Sequence, residues 1–95
     1  MTRYLTLLRF TEQGSRNIKD SASRAHAFAD EAAKAGVKVE SQYWTVGGYD
    51  GALVLSADDE GKILHVLTSL ASKGNVRTET LRAFDEREFA ALTKA

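Results

Sequence analysis

A chain of 95 residues, 43% hydrophobic and 27% charged, is sized for a single domain (1–95) with a limited core. Its thirteen basic and thirteen acidic side chains cancel, so no net field steers it to nucleic acid or to an anionic membrane. It has no cysteine, which excludes disulfides, thiolate chemistry and the usual structural zinc ligands, and no apolar run approaches the roughly 20 residues of a membrane span.

Met1 to Leu5 enters a strand-like pattern at once. That leaves no room for a signal peptide, and a cytoplasmic setting is expected. The first apolar run, Tyr4 to Phe10, places Tyr4, Leu8 and Phe10 on one side and Leu5 and Leu7 on the other. A strand apolar on both faces has to be covered on both. After a polar turn, Thr11 to Gly14, helical spacing links Ala22, Ala25, Phe28, Ala29 and Ala32. Asp20 or Ser21 is placed to cap this helix and Gly36 to end it, and its alanines imply close packing on a sheet.

Val37 to Thr45 alternates and reads as the second strand, Gly47 to Gly51 as a hairpin connection, and Ala52 to Ser56 as a central third strand. A second helix starts at Asp58 or Asp59, buries Ile63, Val66, Leu67 and Leu70, and stops at Gly74. The fourth strand spans Val76 to Phe84. Asp85 to Glu88 then has the form of a capping box opening a short helix, whose Phe89 and Leu92 are expected to dock inward. The order is β-α-β-β-α-β with a terminal helix, an α+β, split-βαβ arrangement. Right-handed crossovers put both long helices on one sheet face. The bare face then calls for a partner, and a second copy of the chain is the simplest.

Three blocks carry a specific resemblance: Thr11 to Gly14 with Arg16 to Asp20; Tyr43-Trp44-Thr45 leading to Gly48-Tyr49-Asp50; and Gly74 to Thr78 with Thr80 to Phe84. In this order, across essentially the whole chain, they resemble the GYD domain family. The resemblance implies a ferredoxin-like dimeric α/β barrel, in which two antiparallel sheets pack face to face, as a homodimer or a higher homo-oligomer. It brings no activity with it, since the chemistry of better-known barrels (cofactor-free monooxygenases, muconolactone isomerase-like proteins, haem enzymes such as chlorite dismutase) belongs to their sites and not to the fold.

Tyr49 and Asp50 are the first candidate site residues. The glycines around them would present a phenol and a carboxylate at a pocket mouth, with Asp50 as a catalytic base. Equally, Gly-Gly-Tyr-Asp-Gly is hairpin chemistry in which Asp50 bonds backbone amides. Asn17, after the first strand, and Arg77, at the start of the fourth, would form a ligand-binding cluster with Asp50 if strands one and four pair. Trp44 is either a core or interface anchor or a wall near the substrate. His26 and His65 stand apart from metal-ligand or haem-ligand spacing, and no phosphate loop or dinucleotide motif is present, so neither metal nor cofactor is expected. The expectation is a self-associating protein that binds a small organic ligand. Cofactor-independent oxygenase or isomerase chemistry, or a purely structural assembly module, are the alternatives.

Overall fold

Alternation along β1 (Thr2–Phe10) gives the sheet its two apolar faces. The structure, a computed structural model describing residues 1–94, continues with α1 (Glu12–Arg16), a 3-10 turn (Ile18–Asp20), α2 (Ser21–Lys34), β2 (Lys38–Trp44), β3 (Gly51–Ala57), α3 (Glu60–Ser72), β4 (Val76–Ala83) and α4 (Glu86–Thr93). The strands form one antiparallel sheet in the order β2-β3-β1-β4. This is the ferredoxin-like α+β fold that the sequence led us to expect. The sheet is open, with β2 and β4 as its edges, so no barrel closes within one chain.

On one face Tyr4, Leu53 and Leu55 meet Phe28 and Ala32 of α2 and Ile63 and Val66 of α3. Thr6 is fully buried among them, and its hydroxyl is satisfied by that of Thr80 on β4 at 3.0 Å, as a buried hydroxyl must be. The reverse face aligns Leu5, Val54, Ser41 and Leu81 in one cross-strand row, and Leu7, Ala52, Tyr43 and Glu79 in the next. No helix among the described residues covers this face; Leu81 is 45% and Tyr43 63% exposed.

The ends of α2 and α3 follow from local chemistry. Gly36, at φ 84°, ends α2 in a left-handed turn that sends the Val37 amide back to the Ala32 carbonyl at 2.8 Å. Asp59 caps α3 by accepting the Gly61 amide at 2.8 Å. The stretch read as a polar turn after β1 is instead the short helix α1, whose first turn is closed by Thr11 accepting the Gly14 amide. Gly14 is buried there against Asn75, and a Cβ at this position would run into the Asn75 carbonyl oxygen.

The terminal helix differs from expectation. Its capping box forms as read, with Asp85 and Glu88 each bonded to the other's backbone amide. Phe89 and Leu92, however, are 62% and 67% exposed instead of docked inward. Arg3 holds the start of α4 through Asp85 (3.6 Å) and Glu88 (3.5 Å), but one chain offers the apolar side of α4 no surface to bury. No helix among the described residues is long and apolar enough to cross a membrane.

Candidate functional site

The pocket of interest lies where α2 leaves the sheet. Only small or polar residues face the strands along its first turns, Ser21, Arg24 and Ala25, before Phe28 seals the core. Their shortness leaves about 160 Å³ of space between α2, the end of α3 and the sheet. The alanines therefore pack closely at Ala32 but leave a void around Ala25. Leu8, Phe10, Phe28, Trp44, Leu53 and Val76 give the pocket a mostly apolar wall. An apolar cavity with a few fixed polar groups is the usual form of a small-molecule site.

Trp44 stands at its rim, 54% exposed, and its indole N–H donates to the Ser21 hydroxyl at 3.0 Å. Asp50 lines the same space. Its carboxylate accepts the Phe10 amide at 2.8 Å, and its own amide donates to the Leu8 carbonyl at 2.8 Å. The Asp50–Leu8 bond lies one residue out of the β1–β3 register, in which Leu8 is opposite Gly51, so the chain leaves regular alternation just before β3.

Tyr49 turns the other way. Its hydroxyl donates to Glu79 at 3.1 Å, and the Arg9 guanidinium stacks over its ring at 4.4 Å while Arg9 Nε donates to the Gly48 carbonyl at 2.9 Å. Glu79 and Arg9 belong to the bare face, so Tyr49 and Asp50 serve opposite sides of the sheet. Arg77 is also on the bare face, directly across from Arg9 in the β1–β4 register. Asn17 sits at the end of α1, where its side-chain amide donates to the Gln13 carbonyl at 3.0 Å. The fold thus brings Trp44 and Asp50 together at one pocket, leaves Tyr49 and Arg77 on the far face, and keeps Asn17 outside the pocket lining, though its carbonyl reaches that wall through Arg24.

Arg24 did not figure among the residues singled out by sequence. Its Nη1 donates to the Asn17 carbonyl at 2.7 Å, while Nη2 is buried with no hydrogen-bond partner among the described residues. The signal was present: Arg24 shares a helical face with Ser21, Ala25 and Phe28, and an arginine within a buried stripe needs a counterpart. Lys73, also in the wall, has its charge answered by Glu31 at 2.7 Å. No group of three or more histidine, aspartate and glutamate side chains converges as a metal site among the described residues.

The βαββαβ sheet with this Gly-Tyr-Asp hairpin matches the GYD domain model over residues 4–93. The chain belongs to the GYD domain family. A Thermus thermophilus protein described as "Glutamine synthetase and cystathionine beta-lyase binding protein" is 30% identical to this GYD chain over 95 residues, which takes in 99% of this chain and 100% of that one. The crystal structure of TTHA0845, also from Thermus thermophilus, is similar with a TM-score of 0.57 and 26% identity, covering 90% of this chain and 95% of that chain.

Proposed function

We propose that this GYD-family protein is a self-associating binding protein that takes a small organic ligand in the pocket beside Trp44 and Asp50. The observation that carries the reading is the division of labour between the two sheet faces. One face is largely covered by helices and holds an apolar pocket with a few fixed polar groups; the other is bare, apolar at its centre and charged at its ends. A second copy on the bare face would bury Leu5, Leu7, Val54 and Leu81, complete a dimeric α/β barrel and give Phe89 and Leu92 of α4 a surface to cover.

Charge favours a two-fold, end-to-end stacking of the sheets. Arg9 and Arg77 mark one end of the bare face, and Arg3 stands among Glu40, Asp85 and Glu88 at the other. An antiparallel pair of sheets would lay the acidic surplus of one copy over the arginines of the next.

Catalytic use of Tyr49 and Asp50 as one acid–base pair has less support, because they face opposite sides of the sheet and Asp50 already holds the Phe10 amide. A protein-binding role is the second reading. It is favoured by the exposed apolar side of α4 and by the description of the Thermus relative, with an enzyme of amino-acid metabolism as the partner class.

The test is an amide-resolved NMR titration with a library of small organic acids, amines and amino acids. Saturable shifts clustered on Ser21, Arg24, Trp44, Asp50 and Asn75 are expected. If no compound perturbs these residues, and a purified glutamine synthetase instead broadens the α4 signals, the protein-binding reading takes its place.

A further inference from the structure

The pocket wall holds two opposite charges that the chain does not pair with each other. Arg24 forms no ion pair among the described residues; its Nη1 rests on a neutral carbonyl and its Nη2 is buried without an acceptor. Asp50 has one carboxylate oxygen on the Phe10 amide and likewise forms no ion pair among the described residues. A guanidinium is the side chain best matched to a carboxylate, and a carboxylate to an ammonium. Of the other polar side chains in the wall, Lys73 is engaged with Glu31, the Ser21 hydroxyl with Trp44 and the Asn75 side-chain oxygen with Gln13 at 3.1 Å, which leaves the neutral Gln42 amide as a further group open to a ligand.

We infer that the pocket takes a free α-amino acid with an apolar side chain, its carboxylate against Arg24, its ammonium against Asp50 and its side chain on the apolar wall. The inference rests on the ligand-binding reading above and names the class of ligand for that site. A simple organic acid would match Arg24 but leave Asp50 desolvated without a counter-charge, and a simple amine would do the reverse. Both are unfavourable in an apolar pocket. A zwitterion answers both charges at once. Size points the same way: about 160 Å³ is well short of the roughly 300–1,000 Å³ of sites for drug-sized molecules, so the occupant is a single small metabolite.

Trp44 is the one tryptophan of the chain and stands in the pocket wall, so its fluorescence reports occupancy. The wild-type protein is titrated with L-leucine, L-methionine and L-phenylalanine, and then with three derivatives of each. These are the N-acetyl form, which lacks the ammonium, the amide, which lacks the carboxylate, and the N-acetyl amide, which lacks both. Saturable binding of at least one parent is expected, with its N-acetyl and amide forms each at least about tenfold weaker.

Arg24→Gln, which keeps donors for the Asn17 carbonyl, is expected to abolish the difference between parent and amide. Asp50→Asn, which keeps an acceptor for the Phe10 amide, is expected to abolish the difference between parent and N-acetyl form. Derivatives that bind wild type as well as the parents overturn the amino-acid inference and leave the ligand pocket standing. Saturation by none of the parents and derivatives overturns both. The comparison of derivatives on wild type decides the matter even if a variant fails to fold.

Discussion

Asp50 and Phe10 are joined across the sheet: the Asp50 carboxylate accepts the Phe10 amide at 2.8 Å, forty residues away in sequence. With the Asp50 amide on the Leu8 carbonyl, this ties the Gly-Tyr-Asp hairpin to the C-terminal end of β1. Hydrogen bonds to a charged group contribute about 1.5–3 kcal/mol, and a partner left unsatisfied costs a similar amount. Asp50→Ala should therefore lower stability by about 2 kcal/mol in urea unfolding, while Asp50→Asn, which retains an acceptor, should lose less than half as much. Equal losses in the two variants would show that the Phe10 contact is not what the carboxylate contributes.

Gly14 and Asn75 make a second tight junction, between α1 and the start of β4. The Thr11 amide donates to the Asn75 carbonyl at 3.1 Å and the Thr11 hydroxyl to the Gly74 carbonyl at 2.6 Å, which draws the two backbones together. Gly14→Ala places a methyl group on the Asn75 oxygen and should cost about 1–3 kcal/mol, as overpacking does, although alanine is the better helix former. A rise in the urea midpoint would contradict this.

Burial raises the pKa of Glu40, but the hydrogen bond from Arg3, with help from the Ser56 hydroxyl and the charge of Arg3, outweighs it and leaves Glu40 below the usual range. A carboxylate whose pKa is lower folded than unfolded contributes stability that is fully present above the unfolded value, about 4.3 for glutamate, and is lost as pH falls through the folded value. Glu40→Gln should accordingly lower the thermal midpoint near neutral pH, with the deficit shrinking as pH falls below the unfolded value of about 4.3. The comparison is a pair of melting curves across that range at low salt, because the pair lies near the surface and is screened. A Glu40→Gln deficit that persists undiminished in acid would assign the effect to packing.

Ala25 faces the void beside α2, so a larger apolar side chain there has space to occupy. Ala25→Leu should leave the fold intact, with a melting temperature unchanged or raised, and remove ligand-induced shifts at Trp44 in the NMR titration. Loss of binding together with loss of the fold would instead mean that the space around Ala25 is smaller than it looks.

Much of this architecture was legible in the sequence because it rests on local periodicity. Tyr4, Leu8 and Phe10 against Leu5 and Leu7 announced a two-faced strand, and Gly36 and Gly74 marked the ends of the long helices. Relationships set by tertiary contact were not legible in that way. Nothing local tells whether Tyr49 or Asp50 turns toward the helices; strict alternation past Gly51 would set Asp50 opposite Arg9 on the bare face, and the Asp50–Leu8 backbone bond, one residue out of the β1–β3 register, brings it to the pocket side instead. The helix Glu12–Arg16 is too short for an apolar stripe and shows only in its Thr11 cap. Arg24 was hidden because a charged residue beside an alanine stripe reads as the solvated edge of the helix, whereas here it reaches the wall of a pocket. Phe89 and Leu92 read correctly as one apolar side of a helix, but a single chain gives that side nothing to cover.

The bare sheet face makes the most direct claim, and sedimentation equilibrium at micromolar concentration tests it. The account predicts a mass of at least twice the 10.4 kDa of one chain, with Leu7→Asp reducing it toward that of the single chain. A wild-type protein that sediments as a stable 10.4 kDa monomer would contradict it.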